Sequence, residues 1–93
     1  MIRSFRDKAT AQLFQGTVPR GMARDLATAS RRKLLMLDAA ERLEDLRSPP
    51  GNRLEALRGT RAGQHSIRIN DQWRLVFTWR EDGPHAAEIV DYH

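Results

Sequence analysis

Two adjacent prolines followed by a glycine, at positions 49 to 51, divide this chain into two parts with different hydrophobic periods. Neither proline has a backbone amide to donate, and each restricts the residue before it, so no helix continues through SPPGN. Upstream, no Pro or Gly interrupts the chain from Met22 to Arg47. Met36, Ala39, Ala40, Leu43 and Leu46 recur there at three-to-four spacing, with Leu26 and Ala29 leading in. The spacing predicts one long amphipathic helix, or two in sequence, with Asp38 and Arg42 as a favourable i,i+4 pair on its outer side. Nearer the start, IRSF reads as a short strand, Asp7 as the N-cap of a helix DKATAQLFQ, and Gly16 as its stop.

Downstream of the prolines the period changes to two. HSIRIN puts His65, Ile67 and Ile69 on one side and Ser66, Arg68 and Asn70 on the other, and WRLVFTW alternates in the same way from Trp73 to Trp79. These are two strands joined across Asn70, Asp71 and Gln72. Glu81-Asp82-Gly83-Pro84 is a turn into a last strand, AAEIVDY, and RLEAL is a short extended piece before them. Helices first and an antiparallel meander second define an α+β fold, with the N-terminal helices packed on one face of a small antiparallel β-sheet. If Ile67, Ile69, Leu75 and Phe77 face the helices, pleating sends Arg68, Arg74, Val76 and Tyr92 to the opposite, open face. Trp73 and Trp79 share the apolar parity and read as core, and His65 as a satisfied core-facing histidine.

At 93 residues, 40% hydrophobic and 30% charged, the chain is expected to form a single domain over residues 1–93. It has no cysteine, no apolar run of secretory length and no stretch approaching the roughly 20 apolar residues of a membrane span, so a cytoplasmic protein with no membrane association is expected. Of its sixteen basic residues fourteen are Arg. From Arg47 to Arg74 six arginines stand against only Glu55 and Asp71, while Asp38, Glu41, Glu44 and Asp45 gather just upstream. Guanidinium groups present planar forks of donors that match phosphate oxygens, so this segregated charge points toward nucleic acid. On the residues alone, the same arginines are equally readable as a solvated face of the sheet.

The chemistry-bearing residues are few. Arg68, Arg74 and Tyr92 fall on the open face, Arg53, Arg58 and Arg61 on the segment before it, and Asp91, Tyr92 and His93 end the chain. Imidazole exchanges protons near neutrality, and guanidinium, permanently charged, stabilises developing negative charge. Together they suit attack of a ribose 2′-hydroxyl on the adjacent phosphate, with one group as base, another as acid and a cation on the phosphate. A terminal histidine is also commonly inert. The three histidines, 65, 85 and 93, have no metal-ligand spacing, so neither a metal nor another cofactor is expected. There is also no phosphate-binding glycine loop, no G-x-S-x-G and no cysteine nucleophile.

The run LRSPPGNRLEALRGTRAGQHSIRINDQWRLVFTW, the opening IRSF, the pair Leu13-Phe14 and the closing DYH resemble the HigB/GraT branch of the RelE toxin superfamily. The resemblance covers nearly the whole chain. It implies a RelE-like fold and a type II toxin that enters the ribosomal A site and cuts messenger RNA by the 2′-hydroxyl route without a metal. It also implies a HigA-like helix-turn-helix antitoxin as partner, through which operator DNA is contacted indirectly. Carried over position by position, the catalytic residues fall on His93, Tyr92, Asp91, Arg74 and Arg58, with Arg61, Arg68 and Arg53 left to hold RNA. Some relatives have Lys where this chain has Arg58 and His where it has Glu55; a lysine of depressed pKa trades protons, whereas Arg58 only binds and stabilises charge. The competing readings are an RNA- or ribosome-binding inhibitor that does not cut, and an inactive toxin homologue that acts as an operon co-repressor.

Overall fold

The computed structural model describes residues 1–91. Helix α1 spans Lys8–Phe14 and helix α2 spans Arg24–Ala39; the strands are β1 Glu55–Ala56, β2 His65–Arg68, β3 Trp73–Arg80 and β4 Gly83–Asp91. The sheet is antiparallel throughout, in the order β1-β2-β3-β4. Asp7 caps α1 by accepting from the Thr10 amide at 2.8 Å, a contact worth about 1 kcal/mol, and Gly16 ends the helix with φ of 95°.

The helical stretch is shorter than its periodicity suggests. Helix α2 ends at Ala39, Ala40 is extended, and Leu43–Arg47 form a separate 3-10 turn. The cause is local competition for backbone donors: Asp45 Oδ2 accepts from the amides of Glu41 and Arg42, both at 3.0 Å, and so starts a new turn in place of continuing the old one. Asp38 meanwhile accepts from the Ile2 amide at 2.8 Å. The anticipated Asp38–Arg42 pair along one helix is therefore not made.

Leu13, Ala27, Leu34 and Leu37 from the helices, Leu46 from the 3-10 turn, and Ile67, Leu75, Phe77 and Ala87 from the sheet form one buried cluster. Each of the large side chains contributes about 1.5–3 kcal/mol by leaving water. Trp73 and Trp79 pack against this cluster, as their parity predicts. His65 has the expected orientation and stacks on Phe77 with ring centroids 6.4 Å apart. It is not a satisfied histidine, however, because its buried Nδ1 has no hydrogen-bond partner among the described residues.

Instead of a full strand, IRSF forms a single parallel bridge, Phe5 to Ala87, along the outer edge of β4. The Arg3 and Arg6 amides donate to the carbonyls of Pro84 and Ala87 at 2.8 and 2.9 Å, and the Ala87 amide donates to Ser4 at 3.1 Å. Beside this bridge β4 carries an extra residue. Val76 faces Glu88 but Thr78 faces His85, and Ala86 takes a left-handed φ of 53° within the bulge.

Candidate active site

The face of the sheet away from the helices is built as two cross-strand rows. Glu55, Ser66, Val76 and Glu88 are register partners in one, and Arg68, Arg74 and Val90 in the next. The expectation of a bare face needs correcting. Ser66 and Val76 are fully buried, although no α-helix lies over them. Arginine side chains and the 53–64 segment supply the cover: Arg74 donates from Nε to Ser66 Oγ at 2.8 Å, and Arg61 reaches Glu88 Oε2 at 3.3 Å.

Arg74 sits at the centre of this layer. Beyond Ser66, its Nη2 donates to the backbone carbonyl of Arg53 at 2.7 Å and lies 3.8 Å from Glu55 Oε1, with the side chain only 11% exposed. Arg53 follows a 3-10 turn, Pro50–Asn52, and adopts a left-handed φ of 47°. Two flanking anchors hold that backbone, Arg74 on one side and the preceding Asn52 on the other. Asn52 is fully buried; its amide nitrogen donates to the Leu46 carbonyl at 3.1 Å and its oxygen accepts from Lys33 Nζ at 2.6 Å. Neither Asn52 nor Ser66 stands out as a site residue in the sequence, where only the Pro-Gly-Asn string and the alternation of β2 hint at them.

The other candidates differ in what they touch. The guanidinium groups of Arg53 and Arg58 are exposed and make no hydrogen bond or ion pair among the described residues. Arg58 precedes a 3-10 turn, Gly59–Arg61, and with Glu55, Ala56 and Leu57 lines an open hollow of about 540 Å³. Arg61 is paired with Glu88, and Arg68 with Asp71. Burial, then the charges of Arg32 and Arg68, lower the pKa of Lys33, placing that ammonium in a cationic neighbourhood at the Arg68 end of the sheet. Asp91 is the register partner of Trp73, which gives it the parity opposite to Arg74, and its carboxylate accepts from Gln72 Nε2 at 3.0 Å. Tyr92 and His93 lie outside the described residues. Among those described, no three His, Cys, Asp or Glu side chains are grouped as metal ligands, and no helix is long and apolar enough to cross a membrane.

Two helices against one face of a four-stranded antiparallel meander, with arginines layered on the other, define a RelE-like toxin fold. A solved chain of the YoeB-YefM complex from Staphylococcus aureus shares that fold with a TM-score of 0.61 at 20% identity, covering 100% of this chain and 98% of that one. Residues 3–93 match the family model described as the RelE-like toxin of type II toxin-antitoxin system HigB, and the chain belongs to this HigB-like toxin family. Toxin HigB-1 of Vibrio cholerae serotype O1 is 42% identical over 94 residues, covering 100% of this chain and 98% of that protein. Endoribonuclease HigB of Proteus vulgaris is 28% identical over 93 residues and covers all of both chains.

Proposed function

We propose that this toxin is an endoribonuclease that cuts messenger RNA in the ribosomal A site, using the ribose 2′-hydroxyl as nucleophile and no metal. Its family is one of toxin-antitoxin proteins, and one relative bears the name endoribonuclease. The observation that carries the reading is the concentration of guanidinium on one sheet face, with Arg53 and Arg58 exposed beside a braced Arg74. In this scheme a base takes the 2′-hydroxyl proton, the oxygen attacks phosphorus, and an acid protonates the departing 5′-oxygen, leaving a 2′,3′-cyclic phosphate. Arg74 and Arg58 hold the charge that builds on the phosphoryl oxygens. His93 is assigned to proton transfer, with Tyr92 and Asp91 beside it in sequence, and Arg53 and Arg68 to the flanking backbone. Because Arg58 cannot shuttle a proton, cutting relies heavily on the positioning that the ribosome supplies. The natural partner is a HigA-like helix-turn-helix antitoxin, which links the toxin to operator DNA, and the working compartment is the cytoplasm.

The test is primer-extension mapping in a translating extract, with and without ribosomes. New 5′ ends within translated codons are expected only with ribosomes, and they should fade in Arg74→Ala and His93→Ala and vanish when the cut nucleotide is 2′-deoxy. A tag fused after His93 should weaken cutting as well. Growth arrest with uncut transcripts would replace this reading with a non-cleaving ribosome binder, and harmless overexpression without antitoxin would favour a co-repressor.

A further inference from the structure

The site face contains one buried acid that phosphate chemistry has no use for. Glu88, at the middle of β4, is 9% exposed and lies among groups assigned to bind an anion. A carboxylate there repels RNA and is costly to bury unless it is paired. Two cations pair it: Arg61 Nη1 at 3.3 Å and Arg6 Nε at 3.5 Å. The two differ in what they hold. Arg6 is 60% exposed and belongs to the N-terminal segment, which backbone bonds already fix against β4. Arg61 closes the turn that begins at Arg58, and its Nη1 also donates to Gln64 Oε1 at 3.1 Å. That turn has glycines at 59 and 63, both at positive φ, and its own backbone bonds are short-range: Arg61 to Arg58, Ala62 to Gly59, Gln64 to Arg61 and Leu57 to Gln64. No other described side-chain hydrogen bond or ion pair reaches from Gly59–Arg61 to β3 or β4.

We propose that Glu88 is a positioning residue for the candidate site: by holding Arg61 it fixes the turn that presents Arg58, and Arg61 serves as the anchor of that turn rather than as an RNA contact. The inference rests on the proposed role of Arg58 in cutting, and it explains why an acid is retained in a cationic face. Loss of either partner frees the turn, so Arg58 samples positions away from the phosphate while the rest of the sheet is unchanged.

The experiment combines single-turnover cleavage on programmed ribosomes with hydrogen–deuterium exchange of the free toxin. Arg61→Ala and Glu88→Gln should each slow cleavage by about tenfold, a loss typical of a displaced catalytic group, with the double variant no slower than either single. Arg61→Lys, which can keep the ion pair, should recover most of the rate, and Arg6→Ala should leave it unchanged. In an Arg58→Ala background neither Arg61→Ala nor Glu88→Gln should slow cleavage further. Exchange over residues 57–64 should quicken in both single variants with the helices unaffected. Unchanged exchange in that segment overturns the proposal whether or not the protein cuts RNA, and so does a full further loss from Arg61→Ala in the Arg58→Ala background. A wild-type protein that fails to cut, yet shows the local exchange response, refutes the endoribonuclease reading and leaves the hold of Glu88 on the turn established. Because Arg61 lies in a surface turn, its variants test the idea even if Glu88→Gln does not fold.

Discussion

Arg74 Nη2 donates to the backbone carbonyl of Arg53 across 2.7 Å, joining the third strand of the sheet to a residue held at φ of 47°. The same guanidinium binds Ser66 Oγ, so the side chain acts as a brace as well as a cation. Arg74→Ala should lose about 1.5–3 kcal/mol of stability, because charge-assisted bonds in a nearly buried setting leave their acceptors unsatisfied. Arg74→Lys should be closer to Ala than to the wild type, since an ammonium cannot span both acceptors. Arg53→Ala removes only an exposed side chain and should melt within about 0.5 kcal/mol of the parent. Urea denaturation decides it; an Arg74→Ala protein as stable as the wild type would show the brace to be idle.

At Arg53 itself the backbone is the point of strain. A left-handed φ disfavours any residue with a Cβ, so Arg53→Gly should exceed Arg53→Ala in stability by about 1 kcal/mol, the reverse of the order in a helix. Equal midpoints for the two variants would place Arg53 outside the left-handed region.

Asn52→Ala should be among the most damaging substitutions away from the apolar core. It strips the partner from the buried Leu46 carbonyl and from Lys33 together, with an expected loss of about 2–4 kcal/mol. Thermal melting with circular dichroism measures it. A drop in midpoint of less than a few degrees would mean that water replaces the amide without penalty.

Ser30→Ala should go the other way. The Ser30 hydroxyl is fully buried on the inner side of α2 and lacks a hydrogen-bond partner among the described residues. Alanine removes the desolvated hydroxyl and improves helix propensity, which together should stabilise by about 1 kcal/mol. A lowered melting temperature would reveal a partner for the hydroxyl.

The Asp45 turn should carry an acid signature. Amides of Arg42, foremost, and of Glu41 hold its carboxyl below the usual carboxylate range. The ionised form therefore favours the folded state. Its contribution is complete above the unfolded value of about 3.9 and is lost as the pH falls through the lower folded one. The melting-temperature gap between wild type and Asp45→Ala should be constant from neutrality to about pH 5 and narrow below about pH 4. A gap that widens on acidification would reverse the sign.

Strands β2 and β3 were legible because each turns an apolar face to the helices, which forces a period of two on both and leaves the turn at Asn70 to Gln72 as the place to reverse. The helix stop at Ala39 was not, because it depends on which amides Asp45 captures, and Asp45 fits the helical pattern equally well as a solvated residue. The arginines of the site were visible as a charge run, but a run cannot show pairing. Arg61 and Arg68 find acids in the folded chain while Arg53 and Arg58 remain exposed, and Glu88 looked like an ordinary polar residue of an alternating strand. Ser66 and Asn52 carry no charge and no motif, and they matter through the backbone and guanidinium groups that only the assembled sheet brings to them.

The bulge at Ala86 decides which way the second half of β4 is turned. Were the bulge closed with every residue kept, pairing would continue in step from His85 opposite Thr78, so Glu88 would meet Leu75 and Ile89 would meet Arg74. An acid would enter the greasy interior and an isoleucine would stand out among the arginines. Excising Ala86 itself is predicted to do neither, because the residues that follow keep their present partners, with Glu88 still opposite Val76.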